Sequence, residues 1–142
     1  MTTPHEVLNP PELTAPQGFS HAVVSGPGRT VYLGGQIGCD KEGRLLGSSV
    51  AEQFDAAAAN VITALAAAGA SPEHLVSMQI FVTDVTEYRD ALTDLGRRYR
   101  AHFGSHYPAV ALFEVKGLFE PGAKVELVCT AVIPSPSDKA RG

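Results

Sequence analysis

The stretch from Ser49 to Gly69 constrains the fold more than any other part of the chain. It opens with Ser49-x-x-Glu52, a capping box in which each side chain satisfies an otherwise orphaned N–H of the other. Val50, Phe54, Ala57, Ala58, Val61, Ile62 and Leu65 then recur at steps of three and four, which predicts a helix with one apolar stripe. The many alanines let that helix lie close to a sheet. Gly69 is a natural terminating residue beyond the last turn. A helix of this kind has to bury its stripe against a second layer.

The rest of the chain supplies that layer. Leu75–Thr83 alternates as a strand, with Val76, Met78, Ile80 and Val82 on one side and Ser77 and Gln79 on the other. A second helix follows, capped by Asp84 with Glu87 in its first turn. Tyr88, Leu92, Leu95, Tyr99 and Phe103 are its buried face, and Gly104 is its stop. Two β-rich runs, His21–Val24 and Thr30–Leu33, flank Ser25-Gly26-Pro27-Gly28 and are expected to form a hairpin. No helix follows Gly26-x-Gly28, so it reads as a turn and not a phosphate cradle. Asp40-Lys41-Glu42-Gly43 is another turn, and two last strands are expected near Val110–Val115 and Lys124–Ile133.

The order is strand, strand, helix, strand, helix, strand, strand, which predicts an α+β fold with both helices on one face of a mixed sheet. The other face is expected to expose Val110, Leu112, Val128 and Val132. An apolar sheet face of that size calls for a partner, so self-association is expected. The 142 residues form one domain. Residues 1–15, with Pro4, Pro10 and Pro11, are an extended N-terminal segment, and 134–142, with Pro134 and Pro136, a flexible tail.

Composition narrows the function. A net charge of -4, a pI near 5.7 and the absence of Trp argue against a nucleic-acid surface. No apolar run approaches the ~20 residues of a membrane span. The start of the chain lacks a signal-peptide pattern, so it reads as cytoplasmic. Cys39 and Cys129 are too few and too isolated for a disulfide framework or a zinc site, and read as small buried or half-buried thiols. His102 and His106 have the spacing of a metal pair, but Gly104 between them ends the helix, so no metal site is predicted.

Several motifs carry a family resemblance. They are Val31-Tyr32-Leu33-Gly34-Gly35-Gln36-Ile37-Gly38, Gly69-Ala70-Ser71, Phe81-Val82-Thr83-Asp84, Pro108-Ala109-Val110-Ala111 and Lys124-Val125-Glu126-Leu127. From about Ala15 to Ile133 the chain resembles the Rid family (reactive intermediate deaminases, YjgF-like). The resemblance implies a fold like that of chorismate mutase from bacilli, assembled as a homotrimer around a central sheet barrel, with small-molecule ligands in clefts between subunits. It implies hydrolysis of enamines or imines to a keto acid and ammonia, without a cofactor or metal.

Mapped residue by residue, the resemblance is incomplete. The family's carboxylate-binding arginine falls on Val110, a serine on Gly34 and a tyrosine on Phe19. The water-positioning glutamate is kept as Glu126. Losing one charge-assisted pair costs ~1.5–3 kcal/mol, so a small imino acid is a poor ligand for this version. The residues implied to bind substrate are Phe19, Gly34, Gly35 and Val110, with the two glycines offering backbone N–H groups and Glu126 directing water. Glu126 also fits an interface carboxylate paired with Lys124 or Lys116. Lys116 or Arg29 would be a substitute cation, and Glu114 a solvent or interface charge. Two readings follow: an imine or enamine deaminase with altered substrate preference, or a non-catalytic module binding a metabolite or a protein. Nucleic-acid cleavage, sometimes attached to the family, fits poorly with the acidic pI.

Overall fold

The computed structural model describes residues 2–136. In chain order it contains β1 (Glu6–Leu8), β2 (Ala22–Val24), β3 (Gly28–Tyr32), β4 (Gln36–Ile37), α1 (Val50–Ala67), β5 (Leu75–Val82), α2 (Val85–Asp90), α3 (Leu92–Phe103), β6 (Ala109–Glu114) and β7 (Val125–Pro134). The capping box forms as the sequence dictates: Ser49 Oγ accepts from the Glu52 N–H, and the Glu52 carboxylate accepts from the Ser49 N–H, both at 3.1 Å. At the other end Gly69 adopts φ +79°. The N–H of Gly69 bonds Ala66 and that of Ala70 bonds Leu65, the paired closure of a Schellman motif.

The main sheet runs β3-β7-β5-β6, with β4 continuing along β7 beyond β3. β5 and β6 are parallel, joined by the α2–α3 crossover, while β7 is antiparallel to its neighbours. The α1 stripe packs on the residues of β7 and β5 that face it: Phe54, Ala57, Val61 and Leu65 meet a layer holding Leu75, Met78, Val82, Leu127 and Cys129, all buried. Truncating a fully buried residue such as Phe54 to alanine costs about 3–5 kcal/mol. Among the described residues no helix is long and apolar enough to cross a membrane.

Several expectations need correction. The hairpin between the first two β-rich runs does not form: β2 pairs with β1 in a separate two-stranded sheet, and β3 pairs with β7. A two-residue hairpin turn needs positive φ, and neither Gly26 nor Gly28 adopts it. The N-terminal segment is therefore partly sheet. The second helical stretch is split at Ala91, whose ψ of 13° and N–H shared between Glu87 and Tyr88 close α2 before α3 begins. Leu92 is left more than half exposed. Val76 leaves the buried row because the register slips between Leu75 and Ser77. Pro134 ends β7 opposite Gly28, and the Ser135 N–H bonds Pro27, so the start of the expected tail is held in place. Residues 137–142 of that tail lie outside the described residues.

The most consequential correction concerns β6. Val110 pairs with Met78 and Leu112 with Ile80, both buried beneath the helices, so Val110 and Leu112 face the helices as well. The open face carries Phe81 stacked on Phe113 (5.5 Å), with Glu126 and Val128 beside them on β7. Tyr32, 80% exposed, lies at the β3 side of the same face. Val132 belongs to that face by alternation but is itself buried.

Candidate functional site

A cleft of about 460 Å³ opens where α2 and α3 stand off from β6. Its lining includes Phe19, Tyr88, Tyr107, Val110, Leu112 and Arg100. Each side chain is placed by local structure. Gly18, at φ +75°, turns the chain so that Phe19 enters the cleft. Ser20 then anchors it to the lead-in of β6, its N–H bonding Pro108 O at 3.0 Å and its hydroxyl donating to Tyr107 O at 2.6 Å. Tyr99 stacks on Tyr107 at 4.9 Å and donates its hydroxyl to His106 O at 2.7 Å, closing the floor. Burial pushes the Tyr88 phenol up to about 12, so it stays protonated and neutral.

The cleft brings Phe19 and Val110 together. Gly34, Gly35 and Glu126 form a second group elsewhere. A Cβ on Gly35 would stand 1.9 Å from Glu126 Oε2, so the glutamate occupies the space that the missing side chain leaves. Gly34 has nothing within 4 Å of that position. Glu126 pairs across the sheet with Phe81 and Ile37, on the face opposite Val110. Within one chain the two groups therefore sit on opposite sides of the sheet.

The remaining candidates resolve into structural roles. Lys124 is not Glu126's partner; it pairs with Glu87 at 2.9 Å, and Glu87 also accepts from the Val50 N–H at the start of α1. Glu114 accepts from the Val85 N–H and so caps α2. Lys116 and Arg29 are exposed and do not line the cleft. His102 bonds Asp55 at 3.0 Å and His106 bonds Leu75 O at 2.8 Å, so they do not converge. Among the described residues no group of three or more His, Cys, Asp or Glu stands ready to hold a metal ion. Cys129 is buried, and burial pushes its thiol up to about 12.

Two residues escaped the sequence reading. Gln53, nearly fully buried, ties α1 to the loops at Gly47, Gly122 and Lys124. A polar side chain inside an apolar helical stripe was the available signal. Arg100 is the one charged side chain among the described residues lining the cleft. The signal there was Gly96, four residues earlier on the same helical face.

The model of the family described as Endoribonuclease L-PSP matches residues 10–133. The chain belongs to the Rid family. Among curated relatives, the human protein named 2-iminobutanoate/2-iminopropanoate deaminase is 30% identical over 105 residues, covering 73% of each chain. A bovine protein of the same name is 32% identical over an equal span. Among solved structures, YyfB, a Rid family protein of unknown function from Yersinia pestis, superposes with a TM-score of 0.82 at 28% identity, covering 91% of this chain and 98% of its own. RidA from the Antarctic bacterium Psychrobacter, also 28% identical, gives 0.64 and covers 84% and 92%. The fold is thus the chorismate-mutase-like α+β fold of Rid proteins. At equal identity, this chain's backbone follows YyfB more closely than RidA.

Proposed function

We propose that this Rid chain hydrolyses an imine or enamine to its carbonyl compound and ammonia, with a preference moved from small imino acids toward substrates with a larger apolar body. The observation that carries this reading is Val110 beside Phe19 in a mainly apolar cleft, where the family mapping puts an arginine and a tyrosine. Apolar walls favour an apolar substrate body by removing its surface from water, at about 25 cal/mol per Å². A bare carboxylate pressed against Val110 would lose its hydration without compensation.

The chemistry needs one base. With an enamine entering as its imine tautomer, Glu126 accepts a proton from water as its oxygen bonds to the C=N carbon and passes that proton to nitrogen. The hydroxyl proton of the resulting carbinolamine follows the same route as the C–N bond breaks, so that the carbonyl forms and ammonia leaves. The carbonyl oxygen comes from the water, and no electrons are gained or lost. Backbone N–H groups at Gly34 and Gly35 polarise the substrate. Glu126 and Val110 lie on opposite faces of one chain, so the reading includes a homotrimer in which the open face of one copy meets the cleft of the next. The exposed Tyr32 and Phe113 on that face support such a contact. The Rid deaminase relatives support the reaction class, and the net charge of -4 weighs against a nucleic-acid substrate.

The test is ammonia release from a panel of enzymatically generated imines, with and without a carboxylate and with small and large side chains. Larger apolar members should turn over fastest, and Glu126→Gln should lower the rate about 10²–10⁴-fold. Val110→Arg should raise activity on the smallest imino acids. No turnover on any member, together with no effect of Glu126→Gln, would establish a binding module instead. Sedimentation should give the mass of three 14.9 kDa chains.

A further inference from the structure

Arg100 stands apart from the other arginines of α3. Arg97 pairs with Asp94, and Arg98 reaches Asp94 at 3.2 Å and Asp55 at 3.8 Å. Arg100 has no carboxylate partner among the described residues. It lies one helical turn after Gly96, on the same face, and both line the cleft that holds Val110. A Cβ built on Gly96 would stand 3.3 Å from Arg100 Nη1. One guanidinium nitrogen therefore lies over the bare backbone of Gly96 at the cleft wall, while the residue as a whole stays exposed. A larger side chain at position 96 would crowd it there.

We infer that Arg100 is the carboxylate-binding residue of this cleft, holding a monocarboxylate whose apolar or aromatic body lies against Phe19, Val110 and Leu112. Three observations converge on that class. The cleft's one charged lining residue is a cation, which matches a single negative charge. Its remaining walls are largely apolar and aromatic, and a cleft of about 460 Å³ falls in the range of small-molecule sites with room for far more than a three-carbon acid. An arginine fork meets a carboxylate with two parallel, charge-assisted hydrogen bonds. The cation thus enters from the helix side and not from the strand. The anchored end of the ligand is moved toward α3, leaving the space beside Val110 for its apolar body.

This deepens the deaminase reading by naming its substrate class, and rests on that reading only for the reacting C=N group. Binding is tested separately from turnover by calorimetric titration of the full chain with 3-phenylpropionate, its neutral amide and acetate. The wild type should bind 3-phenylpropionate at least tenfold more tightly than either comparison ligand, and more weakly as salt is added. Arg100→Gln should weaken the acid by about ten- to a hundredfold and leave the amide unchanged, with Arg100→Lys in between. Arg100 is exposed, so both variants should fold, as an unchanged melting temperature would verify. Equal binding of acid and amide by the wild type, no binding of the acid, or an unchanged preference in Arg100→Gln would each overturn the inference. Arg100-dependent binding without ammonia release from any imine would uphold it while removing the deaminase reading. Turnover of carboxylate-bearing imines with a KM unmoved by Arg100→Gln would do the reverse.

Discussion

Gly34, Gly35 and Gly38, which flank β4, meet three different surroundings and so test where the fold needs glycine. A Cβ on Gly38 would lie 2.3 Å from Gln53 O and 2.9 Å from its carbonyl carbon and Cα. These are backbone atoms in the first turns of α1, held by the buried Gln53 side chain through bonds to Gly47, Gly122 and Lys124. Ordinary contact needs about 3.4 Å or more, so Gly38→Ala must push helix and strand roughly 1 Å apart. Overpacking of that kind costs ~1–3 kcal/mol or more, and with three anchoring bonds strained as well the upper end is expected. At about 3 °C per kcal/mol for a domain of this size, the melting temperature should fall by roughly 9 °C. Gly35→Ala meets a different neighbour, Glu126 Oε2 at 1.9 Å. That atom is the far end of a flexible side chain that can rotate away. Stability should change by less than ~1 kcal/mol, while activity falls to the level of Glu126→Gln because the carboxylate has been displaced. Gly34→Ala, with nothing nearby and no positive φ, should melt with the wild type. Thermal unfolding by circular dichroism and ammonia release on all three variants give the comparison. A Gly38→Ala protein that melts with the wild type would refute the steric argument. A fully active Gly35→Ala protein would refute the placement of Glu126 as the base.

Four further outcomes follow. Ser49→Ala removes the α1 cap and should cost about 1 kcal/mol in urea unfolding. Tyr99→Phe leaves the His106 carbonyl without its donor in a buried setting and should cost ~1–3 kcal/mol by the same assay. Gly96→Ala should raise stability by ~0.5–1 kcal/mol through helix propensity, because the only atom near the new methyl is the mobile tip of Arg100. Burial holds the His106 imidazole below its ordinary value of 6.5, although its bond to Leu75 O works the other way. The unfolded chain therefore takes up that proton first. The stability linked to His106 is fully present above pH 6.5 and is lost as pH falls from there toward the folded value. Melting temperatures between pH 8 and 5.5 should show that decline, and His106→Gln should flatten it.

Local patterns were legible in the sequence wherever one short segment contains all the determinants. The α1 cap, stripe and stop lie within 21 consecutive positions from Ser49 to Gly69, and all formed as read. The Asp40–Gly43 turn formed too, with Asp40 accepting from the N–H groups of Glu42 and Arg44 and Gly43 at φ +84°. Features set by a distant partner were not legible. β2 has the composition of a strand but nothing in it names β1 over β3 as its neighbour. β6 reads Ala-Val-Ala-Leu-Phe-Glu, apolar at its first five positions, so alternation there carries no information about which side meets the core. Only the pairing of Val110 with Met78 and Leu112 with Ile80 decides it, and that depends on residues 32 positions away.

The candidate site follows from that one register. If β6 slid by a single residue, Ala109, Ala111 and Phe113 would turn toward the helices, and Val110 and Leu112 would join Phe81 on the open face. Val110 and Leu112 would leave the cleft lining, and Ala109 and Ala111 would stand in their place. In the observed register the same strand puts Val110 and Leu112 under α3, opposite the only cation that lines the cleft among the described residues. The family resemblance drew attention to position 110, because that reading rests on a short motif in the sequence. It gave no sign of where another arginine stands, because Gly96 and Arg100 are brought to Val110 by the crossover between two parallel strands. Val110 and the guanidinium on α3 belong to one surface, and the Arg100→Gln titration probes that surface directly.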